Sequence, residues 1–342
     1  MTHYDRRYPA GLTAILVLTA AFLLLVLPVP AAILTDDAGS EIALNETPRR
    51  IVSLSPSNTE TLAALGLADQ IVGITDVCDY PVEIQNKTRI GGYATVSIEK
   101  VAALHPDLVV ASDKTPRDTV KRLRSIGFPV IVIAPKNVSH VITDIGILGN
   151  VTGSSGASEN LTRILSSRIA QAPARPLTGS PTVAHVVYNK PLYISGNSTL
   201  QHDIITRAGG VNVFAGRAGW GTVSLEEFLV ANPDIIIVSS GGGMDQGERD
   251  LIREDFLNNP QYASLSAVKN NRVYAIDSDV ISRPGPRVAD AYDEVHRVIT
   301  QYTAEATRQD PVAQGTTPQK SPGFLSLLAV VALAIAGVKR GN

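Results

Sequence analysis

The stretch Tyr93–Ser112, YATVSIEKVAALHPDLVVAS, returns with little change at Trp220–Ser239, WGTVSLEEFLVANPDIIIVS. Each copy opens on an aromatic residue, continues Thr-Val-Ser, carries a Glu two positions after the Ser, and closes on Pro-Asp and an aliphatic run. A Ser ahead of a short apolar-periodic segment is a helix N-cap, because its hydroxyl accepts from a first-turn N–H. Ser97 and Ser224 therefore start a helix each. Glu99 and Glu226 fall at the second helical position, facing the positive end of the helix dipole. Glu227 completes a capping box with Ser224, and Lys100 does not do so in the first copy. Pro106 and Pro233 stop the helices, and the aliphatic runs behind them read as buried strands. One helix–strand unit written twice implies two similar lobes.

Working outward, the chain from Arg50 alternates strand and helix. RIVSLS, IVGIT, LVVAS and PVIVIA are continuous aliphatic runs, the pattern of parallel strands covered on both faces. SNTETLAALG has the spacing of a capped helix ending at Gly66. The second half repeats the order with TVAHVVY, VNVFAG, DIIIVSS and RVYAI, and ends on the helix GPRVADAYDEVHRVITQYT. Between the halves, Leu161, Ile164, Leu165 and Ile169 recur at helical spacing. The fold class is therefore α/β: two similar lobes with mainly parallel sheets, joined by one long helix, with a ligand cleft between them. The expected boundaries are an N-terminal lobe over 49–152, a connecting helix over 153–175 and a C-terminal lobe over 176–305. A single helical connector is stiffer than several crossing strands, so the cleft is expected to open only slightly.

Composition excludes several classes. The net charge of −2 offers no basic field for nucleic acid. The single Cys78 forms no intramolecular disulfide and reads as a small buried residue. His105, His140, His185, His202 and His296 are scattered without ligand spacing, so no metal is expected. There is no G-x-S-x-G elbow, phosphate loop or H-E-x-x-H, which leaves a hydrolase or a purely structural surface protein as remote alternatives.

The two ends differ from the body. Residues 1–32 pair Arg6 and Arg7 with an apolar stretch closed by small residues, the layout of a signal peptide or an uncleaved anchor. An exported linker over 33–48 would follow. Residues 306–321 read as a flexible stalk, and 322–342 as an apolar anchor or sorting segment with a terminal basic pair. Ser321-Pro322-Gly323-Phe324 before that segment resembles the PGF sorting signal of archaeal surface proteins, which implies a processed, lipid-anchored tail. The body is thus expected outside the cell and tethered to the outer face of the membrane. Asn45, Asn86, Asn137, Asn150, Asn160 and Asn197 each begin a glycosylation sequon.

From Arg50 to Tyr302 the chain resembles the cobalamin and iron-chelate substrate-binding proteins of ABC importers. The resemblance rests on RIVSLSPSNTETLAALG, VGITDVCDYP, the two repeated phrases, AGGVNVF and ISRPGPRVADA. It implies a binding protein rather than an enzyme, with no cofactor, that captures a corrinoid (cobalamin) and delivers it to a permease dimer with its ATPase. A ferric siderophore or haem is the alternative ligand. By the same resemblance Tyr93 and Trp220 face the ligand from the two lobes, and Ser55, Pro56 and Ser57 lie at the cleft rim. Glu99 and Glu226 dock onto the permease, and Arg283 faces the cleft. A family tyrosine after the second strand is Val77 here, with Tyr80 nearby.

Overall fold

The computed structural model describes residues 32–44, 46–170, 179–241 and 250–309. The N-terminal apolar segment, Asn45, and the stalk and tail from residue 310 lie outside the described residues. Among the described residues no helix is long and apolar enough to cross a membrane.

The described residues begin with a hairpin of β1 (Ala32–Thr35) and β2 (Glu41–Leu44), paired antiparallel. The linker expected over 33–48 is therefore largely ordered. Asp36 shapes the turn by accepting from the backbone N–H groups of Ala38 and Ser40. Its other oxygen accepts from Arg124 Nη2 at 2.7 Å and from Val132 N at 3.0 Å. Short strands held by a buried carboxylate carry little periodic signal, which is why the segment reads as a linker.

The N-terminal lobe comprises β3 (Ile51–Ser53), α1 (Pro56–Ala64), β4 (Ile71–Ile74), β5 (Thr88–Arg89), α2 (Ile98–Ala103), β6 (Leu108–Ala111), α3 (Arg117–Ser125) and β7 (Val130–Val132). The strands form one all-parallel sheet in the order β5-β4-β3-β6-β7. Every residue of β3, β6 and β7 is buried, as continuous aliphatic runs require when helices cover both faces. Helices α4 (Val138–Val151) and α5 (Ser155–Arg168) then lead toward the second lobe. Of the helix expected over 153–175, α5 occupies Ser155–Arg168 and residues 171–175 lie outside the described residues; α4 packs beside α5 with Gly149 against Ser158. The backbone N–H of Val138 donates to Asp203 of the C-terminal lobe at 2.8 Å, so α4 also spans the two lobes.

The C-terminal lobe runs β8 (Thr182–Asn189), β9 (Leu192–Ser195), α6 (Leu200–Arg207), β10 (Val211–Asn212), β11 (Trp220–Thr222), α7 (Leu225–Ala231), β12 (Ile235–Ser240), α8 (Leu251–Asn258), α9 (Ser266–Lys269), β13 (Val273–Asp277), α10 (Ser278–Ser282) and α11 (Val288–Gln309). Its sheet has the order β11-β9-β8-β12-β13, with β10 also beside β8. β12 is parallel to β8 and β13, whereas β9 is antiparallel to both β8 and β11. The β8–β9 hairpin and β11 are additions that the repeat does not announce. α11 continues past residue 306, where the stalk was expected to begin.

The repeated phrase explains how each lobe is pinned. Ser97 Oγ and Ser224 Oγ accept from the N–H groups of Lys100 and Glu227. His105 and Asn232 both adopt positive φ, ending α2 and α7 in a left-handed residue just before the proline. The following Asp then ties down the lobe's first strand. Asp107 accepts from the N–H groups of Arg49 and Arg50, both at 2.8 Å, beside β3. Asp234 accepts from Thr182 N at 2.9 Å and Thr182 Oγ1 at 2.7 Å, at the start of β8. Bonds to an ionised acceptor are the stronger kind.

Each lobe has an outer apolar cluster beneath the repeated helix. Val101 of α2 sits with Val52, Val109 and Leu123. Phe228 of α7 stacks between Phe214 and Phe256, with centroids at 5.6 and 5.5 Å. A third cluster crosses the seam and includes Leu62, Ile145, Leu165, Ile204 and Val295. Ions join the lobes as well. Glu60 of α1, 3% exposed, receives Arg283 Nη1 at 2.9 Å and Arg287 Nε and Nη2 at 2.8 and 2.7 Å. Gly285 fits this seam because a Cβ there would lie 3.2 Å from the Ser57 carbonyl oxygen.

Two outcomes follow from this packing. Phe228→Ala empties the centre of an aromatic stack and is expected to lower unfolding free energy by about 3–5 kcal/mol in a urea titration followed by circular dichroism. Glu60→Gln leaves two partly buried guanidinium groups without their shared counter-charge. It is expected to cost about 3–5 kcal/mol, read as a lower melting temperature.

Candidate functional site

A cleft of about 430 Å³ opens between the lobes. Tyr93 and Lys114 reach it from the N-terminal lobe. Tyr193, Trp220 and the apolar Val187, Val238 and Ile252 reach it from the C-terminal lobe. Ser278, Asp279, Ser282 and Arg283 form its floor near the seam. The two aromatic residues that lead the repeated phrases thus share one cavity.

They are held differently. Trp220 lies on β11, where β9 offers it an antiparallel edge: Trp220 pairs with Ser195 and Thr222 with Tyr193. The Trp220 ring stacks on Tyr193, with centroids 6.0 Å apart and planes 5° from parallel. The edge of His185 meets it at 6.0 Å. His185 is fully buried, and burial lowers its pKa to about 3, so the ring is neutral. Its Nε2 lies 3.2 Å from Ser239 Oγ, and Ser239 itself lines the cleft. Tyr93 is half-buried, and burial pushes its phenol up. Offset aromatic stacking of this kind orders the rings beyond simple area burial.

Arg283 does face the cleft, but its guanidinium is already surrounded. Besides Glu60, it contacts Asp79 at 2.6 Å and Asp279 at 2.7 Å. Burial works against its charge, yet the bonds to Asp79 and Glu60 prevail and raise its pKa. Burial also raises the Asp279 carboxyl. Tyr80 is absent from the cleft lining, and its ring lies under Arg287, 4.4 Å from the guanidinium carbon. Ser55, Pro56 and Ser57 are likewise absent from the lining. Ser55 is buried and caps α1 by accepting from Asn58 N, and Ser57 turns its carbonyl toward Gly285 in the seam.

Glu99 and Glu226 are exposed at the N-termini of α2 and α7, one on each lobe. Glu99 accepts from Ser97 Oγ at 3.2 Å. Glu227, next to Glu226, is instead clamped by Arg217 at 2.6 to 3.0 Å. Of the sequon residues, Asn86, Asn137, Asn150 and Asn160 are exposed. Asn137 caps α4 through its side-chain oxygen, and Asn150 accepts from Ser155. The Nδ2 of Asn197, the atom a glycan would occupy, donates to the Ala215 carbonyl at 2.7 Å.

Sequence reasoning missed Lys114, Tyr193 and Asp279. Tyr193 is brought to the cleft by the β8–β9 hairpin, and the only signal for it is the short alternation LYIS after Pro191. Lys114 and Asp279 lie in loop or short-helix settings that no periodicity marks.

Residues 51–280 match the model of a family described as periplasmic binding protein. The ABC transporter substrate-binding lipoprotein YvrC of Bacillus subtilis, itself uncharacterised, is 28% identical over 270 residues, 76% of this chain and 83% of its own length. The crystal structure of the periplasmic vitamin B12-binding protein BtuF of Vibrio cholerae matches with a TM-score of 0.63 and 26% identity, over 75% of this chain and 98% of its own. The periplasmic heme-binding protein RhuT of Roseiflexus sp. RS-1, in apo form, gives 0.64 and 27%, over 74% and 98%. With the family model matching two-thirds of this chain and the same two-lobed fold in both solved structures, the chain belongs to the periplasmic binding protein family, whose members carry small-molecule substrates to ABC importers and are not enzymes.

Proposed function

We propose that the cleft captures a corrinoid and that the protein delivers it to its permease from the outer face of the cell membrane. The observation that carries the choice of ligand is the charge balance of the lining. Lys114 and Arg283 are offset by Asp250 and Asp279, and Arg283 is further committed to Glu60 and Asp79. Among the described residues, such a cleft holds no spare positive charge for a ferric siderophore or for haem propionates. A broad macrocycle with neutral amide arms suits it better, lying between Tyr93 and the Trp220–Tyr193 stack while a few polar groups fix its orientation. The resemblance to a vitamin B12-binding protein supports the same ligand class.

Glu99 and Glu226 are the proposed docking groups. One exposed carboxylate on each lobe, carried by a helix seated on an apolar cluster, suits a two-fold permease with a basic residue on each half. The rigid seam keeps the two carboxylates at a fixed separation. Attachment to the membrane is proposed from the apolar segment over 322–342 alone.

Titration of the full-length protein with cyanocobalamin is expected to quench Trp220, the single tryptophan of the chain, at micromolar ligand. Haem or a ferric siderophore binding at lower concentration than cobalamin would overturn the corrinoid assignment. The double variant Glu99→Lys, Glu226→Lys is expected to retain wild-type ligand affinity and to lose transport when reconstituted with its permease. Weakened ligand binding with transport otherwise intact would reject the docking role.

A further inference from the structure

Away from the cleft, the hairpin turn and helix α4 bring three potential ligands together. Residues Asp37, His140 and Asp144 each offer one donor atom, and these atoms all lie within 4.8 Å of one another. His140 Nε2 is 3.0 Å from Asp37 Oδ1 and 3.5 Å from Asp144 Oδ1. Ligands of a four-coordinate zinc, with bonds of about 2.0–2.1 Å, stand roughly 3.3 Å apart. The spacing here is therefore close to that of one face of a tetrahedral site.

Local structure sets each donor. His140 and Asp144 are four apart on α4, so both point to the same side of the helix. Asp37 follows Asp36, whose carboxylate is fixed by Arg124, Val132 and the turn itself. Asp37 Oδ2 accepts from the Ala134 N–H, which leaves Oδ1 turned toward the histidine.

Asp144 is the observation that calls for a ligand. It is 2% exposed, and neither of its carboxylate oxygens accepts a hydrogen bond. A buried carboxylate without donors is costly in its charged form. Burial and the neighbouring Asp37 accordingly push the Asp144 carboxyl up to about 8. Among the described residues, the ion-pair contact of Asp144 is with His140 Nε2 at 3.5 Å. A bound divalent cation would meet the carboxylate and remove that cost. The partly exposed His140 gives such an ion an access route from solvent.

We propose that Asp37, His140 and Asp144 form a Zn2+ site that fastens the N-terminal hairpin to helix α4. One imidazole and two carboxylates suit zinc better than calcium or magnesium, which favour all-oxygen shells. Water completes the fourth position. The site stands apart from substrate capture: it closes the start of the described chain onto the helix pair that joins the lobes. Because binding requires the folded arrangement, the ion adds to the stability of that arrangement.

The full-length chain, prepared without a histidine tag and stripped with a chelator, is to be dialysed against ZnCl2. One zinc per chain and a raised melting temperature are expected. Asp144→Asn and His140→Gln should each weaken zinc binding at least tenfold and abolish the thermal response. Circular dichroism of both variants checks that the fold is kept, and Asp144→Asn preserves the buried volume. Substitution with Co2+ should give the visible absorption of a four-coordinate site in the wild type alone. No zinc bound at micromolar concentration, or the same zinc affinity in the wild type and both variants, would overturn the site.

Discussion

The carboxylate of Glu60 lies between two guanidinium groups from the other lobe, and the geometry of the cleft depends on it. Glu60 is carried by the first helix of the N-terminal lobe, and Arg283 and Arg287 lie just before the last helix of the C-terminal lobe. Removing three charges from water is expensive, so the cluster is favourable only when all of them meet. Separating the lobes would break the contacts of Glu60 with both guanidinium groups. The cluster therefore acts with the continuous apolar cluster through α4, α5 and α11 to hold one relative orientation. It also decides the chemistry of the floor: a guanidinium committed to Glu60, Asp79 and Asp279 adds little net positive field to the cleft.

Within each lobe the governing constraint is different. A parallel strand needs its start fixed, since no hairpin does it. The Asp that follows each helix-stopping proline answers this, at Asp107 for β3 and at Asp234 for β8. The repeated phrase is thus a construction unit: a capped helix, a left-handed exit, a carboxylate that holds the lobe's first strand, and a buried strand. Its aromatic head and its second-position Glu take no part in that construction.

Much of this was legible in the sequence because it is local. Caps, aliphatic runs and helix stops lie within a few residues of what they control, so the two lobes and their core strands could be read directly. What was hidden is non-local. Arg283 meets Glu60 across 223 residues, and no spacing rule joins them. Ser55 and Ser57 belong to the seam and to the cap of α1 rather than to the cleft lining, which only the position of Gly285 reveals. Asp37 reaches His140 across 103 residues, and the latent sign was the pairing of His140 with Asp144 one helical turn on. Tyr193 enters through a hairpin that has no counterpart in the first lobe.

That hairpin has a consequence for how a ligand arrives. Trp220 is paired along β11 and its ring is sandwiched against Tyr193 and His185. Its rotamer is settled before any ligand comes, so contact with it forfeits little side-chain entropy. Tyr93 comes from a loop and has no aromatic neighbour among the described ring contacts. The two walls of the cleft are accordingly unequal in readiness: the C-terminal lobe presents its aromatic pair already stacked, whereas Tyr93 on the N-terminal lobe rests on no other ring among the described residues.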